Sequence, residues 1–296
     1  MDAFASLFQS SGKGWSHDSL KNFRQISPAV QSHLKNVYLS LCCALMASAG
    51  GAYLHLMLNI GGLLTTIACI GSIVWLLSIP PHEEQKRFGL LMAAALFEGA
   101  CIGPLIDAAI KVDPSIVISA FVGSALAFAC FSGAAMLARR REYLYLGGLL
   151  SSGLSMLMWL HFASAVFGGS AAIFKFEIYF GLLVFIGYVV VDTQEIIELA
   201  HHGDMDYVKH SLNLFTDFVA IFVRILIIMV TKKLCREGEE REEEEKKRLK
   251  WVVGQSWRGS ISYLSTFFYA KFDGTLSSII SVSVWCFPAF VYRITI

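Results

Sequence analysis

Charge is what this 296-residue chain has least of. Lys, Arg, Asp and Glu together make up 16% of it, against about 25% in an average soluble domain. The shortfall excludes an ordinary soluble globule, and the charges that exist sit in short clusters between long apolar stretches. Net charge is only +1, and no basic patch with interleaved aromatics occurs, so nucleic acid is not an expected partner. Cysteine is present, yet never in a CxxC or paired Cys/His spacing. Cys42, Cys43, Cys69, Cys101 and Cys130 all fall inside apolar runs, which argues against a disulfide framework or a zinc site. No apolar segment precedes Val37, so no cleavable signal peptide is read, and the first apolar helix serves as its own insertion signal. The final "YRITI" carries no lumenal retrieval signal.

What remains is apolar: 55% of the residues are hydrophobic. Seven runs approach the roughly 20 residues needed to cross a bilayer. They cover 37–58, 61–79, 88–110, 115–138, 144–167, 174–191 and 211–230. Short polar connections such as "IPPHEEQKR", "KVDPS" and "ARRREY" separate several of them, with Pro80, Pro81 and Pro114 at helix edges. Small residues recur in "ASAGGAY", "FVGSALAFACFSGAA" and "YLGGLLSSGLS", letting helix backbones approach closely. The expected fold is all-α: a polytopic membrane protein built as a seven-transmembrane-helix bundle. Its segments are 1–36, an N-terminal cytosolic stretch; 37–230, the membrane domain; and 231–296, a charged, aromatic tail that is polar or disordered.

Lys21, Arg24, Lys35, Lys86, Arg87 and Arg139, Arg140 and Arg141 fall on one side of such a bundle. The other side, before the last helix, receives Lys111 and Lys175. The positive-inside rule then puts the N-terminus in the cytosol. Seven full crossings place the tail on the far side despite its basic residues. Either the tail crosses regardless or the 211–230 segment does not span fully.

Within the runs few charges survive: Glu98, Asp217 and Arg224, with Asp192 just past the end of a run. Each costs about 2.5–3.5 kcal/mol at a helix centre on insertion scales. Asp217 and Arg224 are seven residues apart and share a helix face that must point into the bundle. They form either a polar clamp between helices or part of a cation path. Asp192 reads as sitting at the membrane boundary, with "DTQEIIELAHHGDMDY" as a connection long enough to return the chain antiparallel. Two carboxylates meeting in a low-dielectric bundle cannot both ionise cheaply; they share a proton, with one apparent pKa raised. Such a pair senses pH and offers hard oxygen ligands suited to transient calcium. Glu98 and Arg224 are further candidate ion-path residues. Lys175 and Glu177 read as interfacial, Asp107 and Asp113 as solvated, and His201, His202, Asp204 and Asp206 as a solvated loop.

"GYVVVDTQEIIELAHHGDMDYVKHSLNLFTDF" closely resembles the signature of the Bax inhibitor-1 family, also called transmembrane Bax inhibitor motif proteins. The likeness extends through "PHEEQKRFGLLMAAALFEGACIGP", "DPSIVISAFVGSALAFACFSGAAMLARRREYLYLGG" and "QISPAVQSHLKNVYLSL". It covers roughly residues 20–231 and is greatest to the plant branch. The resemblance implies a multi-pass protein of the endoplasmic reticulum membrane that suppresses programmed cell death and conducts a pH-sensitive calcium leak. It also implies that Asp192 and Asp217 are the proton sensor. Calcium is then a permeant ion rather than a cofactor, and no enzymatic activity is expected. Implied partners are membrane lipid, calmodulin and other membrane proteins of the endoplasmic reticulum.

The chain departs from relatives after Val230, where an acidic run over 237–245 and a long aromatic, Ser-rich stretch follow. That departure reads as an alternative transcript product or an unprocessed gene. It weakens any calmodulin site in the tail, where Gly254 and Gly259 interrupt a helix from Lys246 onward. Two other classes remain. An intramembrane aspartyl protease needs a GxGD motif and a Pro-Ala-Leu segment; "LFTD" and the rest of the chain offer neither. A non-conducting scaffold, acting on cell death through partner proteins, is the alternative to a leak.

Overall fold

Pro28 begins the first helix because Ser27 stops being one. The Ser27 hydroxyl accepts from the Val30 N–H (3.4 Å), and Pro28 occupies the first helical position, where its missing N–H is harmless. The computed structural model describes residues 27–60, 62–137, 144–167 and 171–237. Among these it contains α1 (Pro28–Leu58), α2 (Leu63–Ser78), α3 (Glu84–Val112), α4 (Pro114–Leu137), α5 (Leu144–Phe167), α6 (Ala171–His201) and α7 (Tyr207–Glu237), and no strand. The all-α, polytopic expectation holds. Six of the seven helices are long and apolar enough to cross a membrane. The exception is α2, whose 16 residues give roughly 24 Å of helix. The tail problem raised by the sequence therefore does not come from a truncated last helix, since α7 runs for 31 residues.

The helices overrun the apolar runs at both ends of the membrane domain. α1 starts nine residues before Val37, and Thr231–Glu237, assigned to the tail by composition, continue α7. Arg139, Arg140, Arg141 and the stretch beyond Glu237 lie outside the described residues.

Large apolar side chains face outward all round. Leu39, Met46, Leu64, Trp75, Ile118, Leu126, Leu149, Trp159 and Leu183 are all exposed. In water this surface would be a liability; in lipid it is the solvated face, with every helical N–H and C=O satisfied internally. The core instead gathers around α7, which packs against α1, α3, α4 and α6. In its most apolar window 72% of residues are buried, against 17–50% in the other spans. The helix with the costliest residues thus occupies the centre.

Glycine sets the tightest contact. A Cβ at Gly99 would lie 1.8 Å from the Ser48 carbonyl oxygen, and one at Gly51 1.9 Å from that of Leu96. α1 and α3 therefore touch backbone to backbone as parallel neighbours. Pro104, inside α3, follows directly on Gly103, where an added Cβ would strike the His55 ring.

At the far corner Asp113 joins two helices and ties down a third. Its carboxylate accepts from the Ser115 N–H (2.9 Å) at the start of α4 and takes the Lys233 ammonium of α7. Asp113 is not merely solvated, as expected from sequence; Asp107 pairs with Lys111 at the surface (2.6 Å). Lys233, then Ser115, hold the Asp113 carboxyl down to about 2. Because the folded value is depressed, the contact stabilises above the ordinary carboxylate range and fades as pH falls through the folded value.

Two outcomes follow for thermal unfolding in detergent. Gly99→Ala loses about 1–3 kcal/mol through overpacking, whereas Gly50→Ala, with nothing near its added Cβ, is neutral or slightly stabilising. The stability gap between the wild-type chain and Asp113→Ala narrows as pH drops from about 4 towards about 2.

Candidate functional site

One stripe of α6 carries several of the polar residues of the bundle interior. Glu177, Gly181, Phe185, Tyr188 and Asp192 recur every three or four residues and so share one face. That face meets α7. The antiparallel register follows from two contacts: Gly181 faces Arg224, and Tyr188 feels the charge of Asp217, a step of seven residues on each helix.

Arg224 is seated at one end of this seam. Its Nη1 donates to the Ala220 carbonyl of its own helix (2.9 Å), and its guanidinium lies over the Phe185 ring, 4.3 Å from the centroid. Gly181 makes the room, since a Cβ there would lie 2.5 Å from Arg224 Nε. The Glu177 carboxylate acts electrostatically on the guanidinium and lies 3.8 Å from His161 Nδ1 of α5. Glu177 is thus buried rather than interfacial. Its helix begins at Ala171, three residues before the apolar run, which carries Glu177 two turns inside.

Asp192 and Asp217 occupy the middle of the seam. They are 1% and 0% exposed, and both act electrostatically on the Tyr188 phenol. Both carboxylates thus act on one side chain, Tyr188, a participant that the sequence reading does not name. What does not stand is the placement of Asp192 at a helix end. α6 continues unbroken to His201, and Ile196, Ile197 and Ala200 are buried with Asp192. The spacing of those apolar residues was the available signal. The true connection is short: Gly203 takes a left-handed φ of 95°, where glycine is favoured. His201 Nδ1 and His202 Nδ1 hydrogen-bond the Ile197 and Glu198 carbonyls (2.6 and 2.8 Å). Asp206 is not a free loop carboxylate either, because Arg87 donates to it at 2.6 Å from the start of α3.

A small hydroxyl cluster adjoins Asp192 at the next residue, Thr193. Tyr38 of α1 hydrogen-bonds Ser132 of α4, and Ser132 Oγ lies 3.2 Å from Thr193 Oγ1, which donates to the Val189 carbonyl. Gln194 Nε2 donates to the Ala135 carbonyl (3.1 Å). These bonds fix α6 against α1 and α4 at the level of the aspartates.

Glu98 lies in a different neighbourhood, between α2 and α3, where the Cys69 thiol donates to its Oε2 (3.6 Å) and to the Ala94 carbonyl (3.4 Å). Among the described residues no group of three or more His, Cys, Asp or Glu could hold a metal ion.

Residues 30–233 match a family model described as inhibitor of apoptosis-promoting Bax1. The chain is 74% identical over 239 residues to a protein of Arabidopsis thaliana named Bax inhibitor 1, covering 80% of this chain and 97% of that relative. Identity to the protein of the same name from Oryza sativa is 63% over 251 residues, 84% of this chain and 99% of the relative. With the Homo sapiens protein it is 42% over 228 residues, 76% and 96% of the two chains.

The Arg224 seat has an energetic signature. Gly181→Ala forces the guanidinium off Phe185 and costs about 1–3 kcal/mol. In an Arg224→Ala background the same change costs much less, a coupling of about 0.5–3 kcal/mol in a double-mutant cycle of unfolding.

Proposed function

The chain belongs to the Bax inhibitor 1 family and is a multi-pass membrane protein that suppresses cell death, and from that premise we propose that it acts as a pH-sensitive calcium leak in the endoplasmic reticulum membrane. The gate is the pair Asp192 and Asp217, both of which act on Tyr188. One observation carries this reading: two fully buried carboxylates on adjacent helices act on the same phenol. The gate rests on a shared proton, because two negative charges on neighbouring helices in a low dielectric repel strongly. Taking up a second proton, or giving up the shared one, changes the charge on the α6–α7 contact and so biases its packing. The direction, acid favouring the leak, comes from the family resemblance.

Calcium passes as a permeant ion, exchanging water for carboxylate oxygens of Asp192 and Asp217 on the way. No resident cofactor and no catalytic step enter the proposal. Glu98 serves as a path residue on the α2–α3 side. Arg224, seated on Phe185 and Gly181, holds the two helices in register below the gate. Lipid surrounds the bundle; calmodulin and other membrane proteins of the endoplasmic reticulum are the proposed protein partners. The calmodulin segment from Lys246 onward lies outside the described residues.

The Arg224 seat also favours a second reading, a scaffold that conducts nothing and acts through partner proteins, its polar seam serving only to clamp α6 to α7.

Purified protein in liposomes separates the two. Calcium flux across about pH 5–8, the window for a raised carboxylate, is expected to rise with acid for the wild-type chain. Asp192→Asn and Asp217→Asn flatten that profile while leaving the fold intact, since Asn keeps size and hydrogen bonding but cannot titrate. Glu98→Gln lowers flux with less effect on its pH profile. A wild-type profile in both aspartate variants overturns the shared-proton gate, and a folded wild-type chain that moves no calcium supports the scaffold.

A further inference from the structure

A second titratable pair lies at the N-terminal end of α7. His33, in the second turn of α1, and His210, in the first turn of α7, are 5% and 1% exposed. The two are 177 residues apart in sequence, yet His33 Nε2 and His210 Nδ1 are 2.9 Å apart. Their rings meet edge to face at 87°, with centroids 5.1 Å apart. An N···N contact of that length is a hydrogen bond, so one nitrogen carries a proton and the other presents a lone pair.

We propose that the His33–His210 contact is a second proton-binding site, separate from the aspartates, that latches α7 to α1 when neutral and releases it when both rings are protonated. The chemistry permits one added proton at most while the contact lasts. A first proton leaves an imidazolium donating to an imidazole. A second puts two N–H groups and two positive charges face to face, and the contact must open.

The surroundings decide whether that happens. From the α6–α7 connection Asp204 and Asp206 act on both rings, and Lys209 of α7 acts on His210. Asp206 is engaged by Arg87 of α3 at 2.6 Å, and Glu84 of α3 acts on the neighbouring Tyr207. The anions near the pair are therefore largely offset by Arg87 and Lys209. Burial weighs against charge on either ring more than these anions favour it, so protons are taken up as the contact opens, and two imidazolium rings cannot remain together. A second link at this level does not titrate in the same range: Ser211 Oγ donates to the Val37 carbonyl of α1 (3.0 Å). It marks the hinge about which the first turn of α7 loosens.

The location gives the latch its meaning. It lies on the end of the bundle that carries Lys35, Lys86 and Arg87, the cytosolic end by the positive-inside rule. Asp217 is seven residues further along α7, roughly 10 Å away. The pair thus reports cytosolic acidity to the helix that bears the deep carboxylate. The inference does not depend on calcium conduction, since it concerns the packing of one helix end.

Hydrogen exchange tests it without any flux measurement. The full chain in lipid nanodiscs is compared at about pH 7.5 and about pH 5.5, either side of the ordinary imidazole value, with rates corrected for intrinsic exchange. Amides of 207–214 are expected to exchange several-fold faster at the lower pH in the wild-type chain, bounded by about tenfold per pH unit for each proton taken up. The double variant His33→Gln/His210→Gln, which keeps hydrogen-bonding side chains, loses that dependence, while Asp192→Asn/Asp217→Asn retains it. Should the histidine variant fail to fold, histidine-selective NMR of the wild-type chain still decides. One ring donating to the other at neutral pH, with chemical shifts changing together with 207–214 exchange, supports the latch. A wild-type chain whose exchange ignores pH overturns it. So does a pH dependence that survives the histidine changes, one that disappears with the aspartate changes, or two rings that titrate independently.

Discussion

The low dielectric of the bilayer governs this architecture more than any single contact. An ionised group facing acyl chains has no water to solvate it, so α7, with Asp217 and Arg224 on one face, has to be surrounded. Helices α1, α3, α4 and α6 do this. Between their polar ends, their own outward faces are mostly apolar. The arrangement inverts the soluble case, where the charged face of a helix looks outward.

Surrounding one helix with four others demands close approach, and that is where small residues matter. Gly51 and Gly99 let α1 and α3 meet at their backbones, and Gly181 opens a recess in α6 that a guanidinium fills. Both are spaces made by deleting a side chain, yet they serve opposite ends. The first brings two backbones together through van der Waals contact. The second admits a charged group and gives it an aromatic face to rest on. Interior polarity is then distributed along the α6–α7 seam, with the cation at one end and the carboxylates further up, rather than concentrated at one point.

Much of this was legible in the sequence, for identifiable reasons. Asp217 and Arg224 stood out because insertion into lipid makes them expensive, and their seven-residue spacing fixed a common face. The helix-end placement of Asp192 is where the sequence misleads, since α6 runs on to His201. The stretch after Asp192 is polar in composition while its buried residues, Ile196, Ile197 and Ala200, keep helical spacing. Tyr188 escaped notice because tyrosine is unremarkable near a membrane boundary; only the tertiary pairing reveals two carboxylates acting on its phenol. Gly181 was one of many glycines in apolar runs, and nothing local marks the one that faces an arginine. Asp113 looked like a loop residue since its partner, Lys233, lies 120 positions away. Contacts of that range leave no trace in a local pattern.

The brevity of α2 has a consequence for the membrane itself. Roughly 24 Å of helix is short for an average hydrocarbon core of about 30 Å, and closer to the thinner core of about 27 Å found in the endoplasmic reticulum. Since α2 packs along α3 and is bordered by outward-facing Leu64 and Trp75, the mismatch falls on one flank of the bundle. Lipid beside that flank must compress to meet it, and the compression grows with bilayer thickness. A thin bilayer accommodates the chain with least deformation, and in a thick one the α2 edge favours shorter-chain lipids or a neighbouring protein that hides the step.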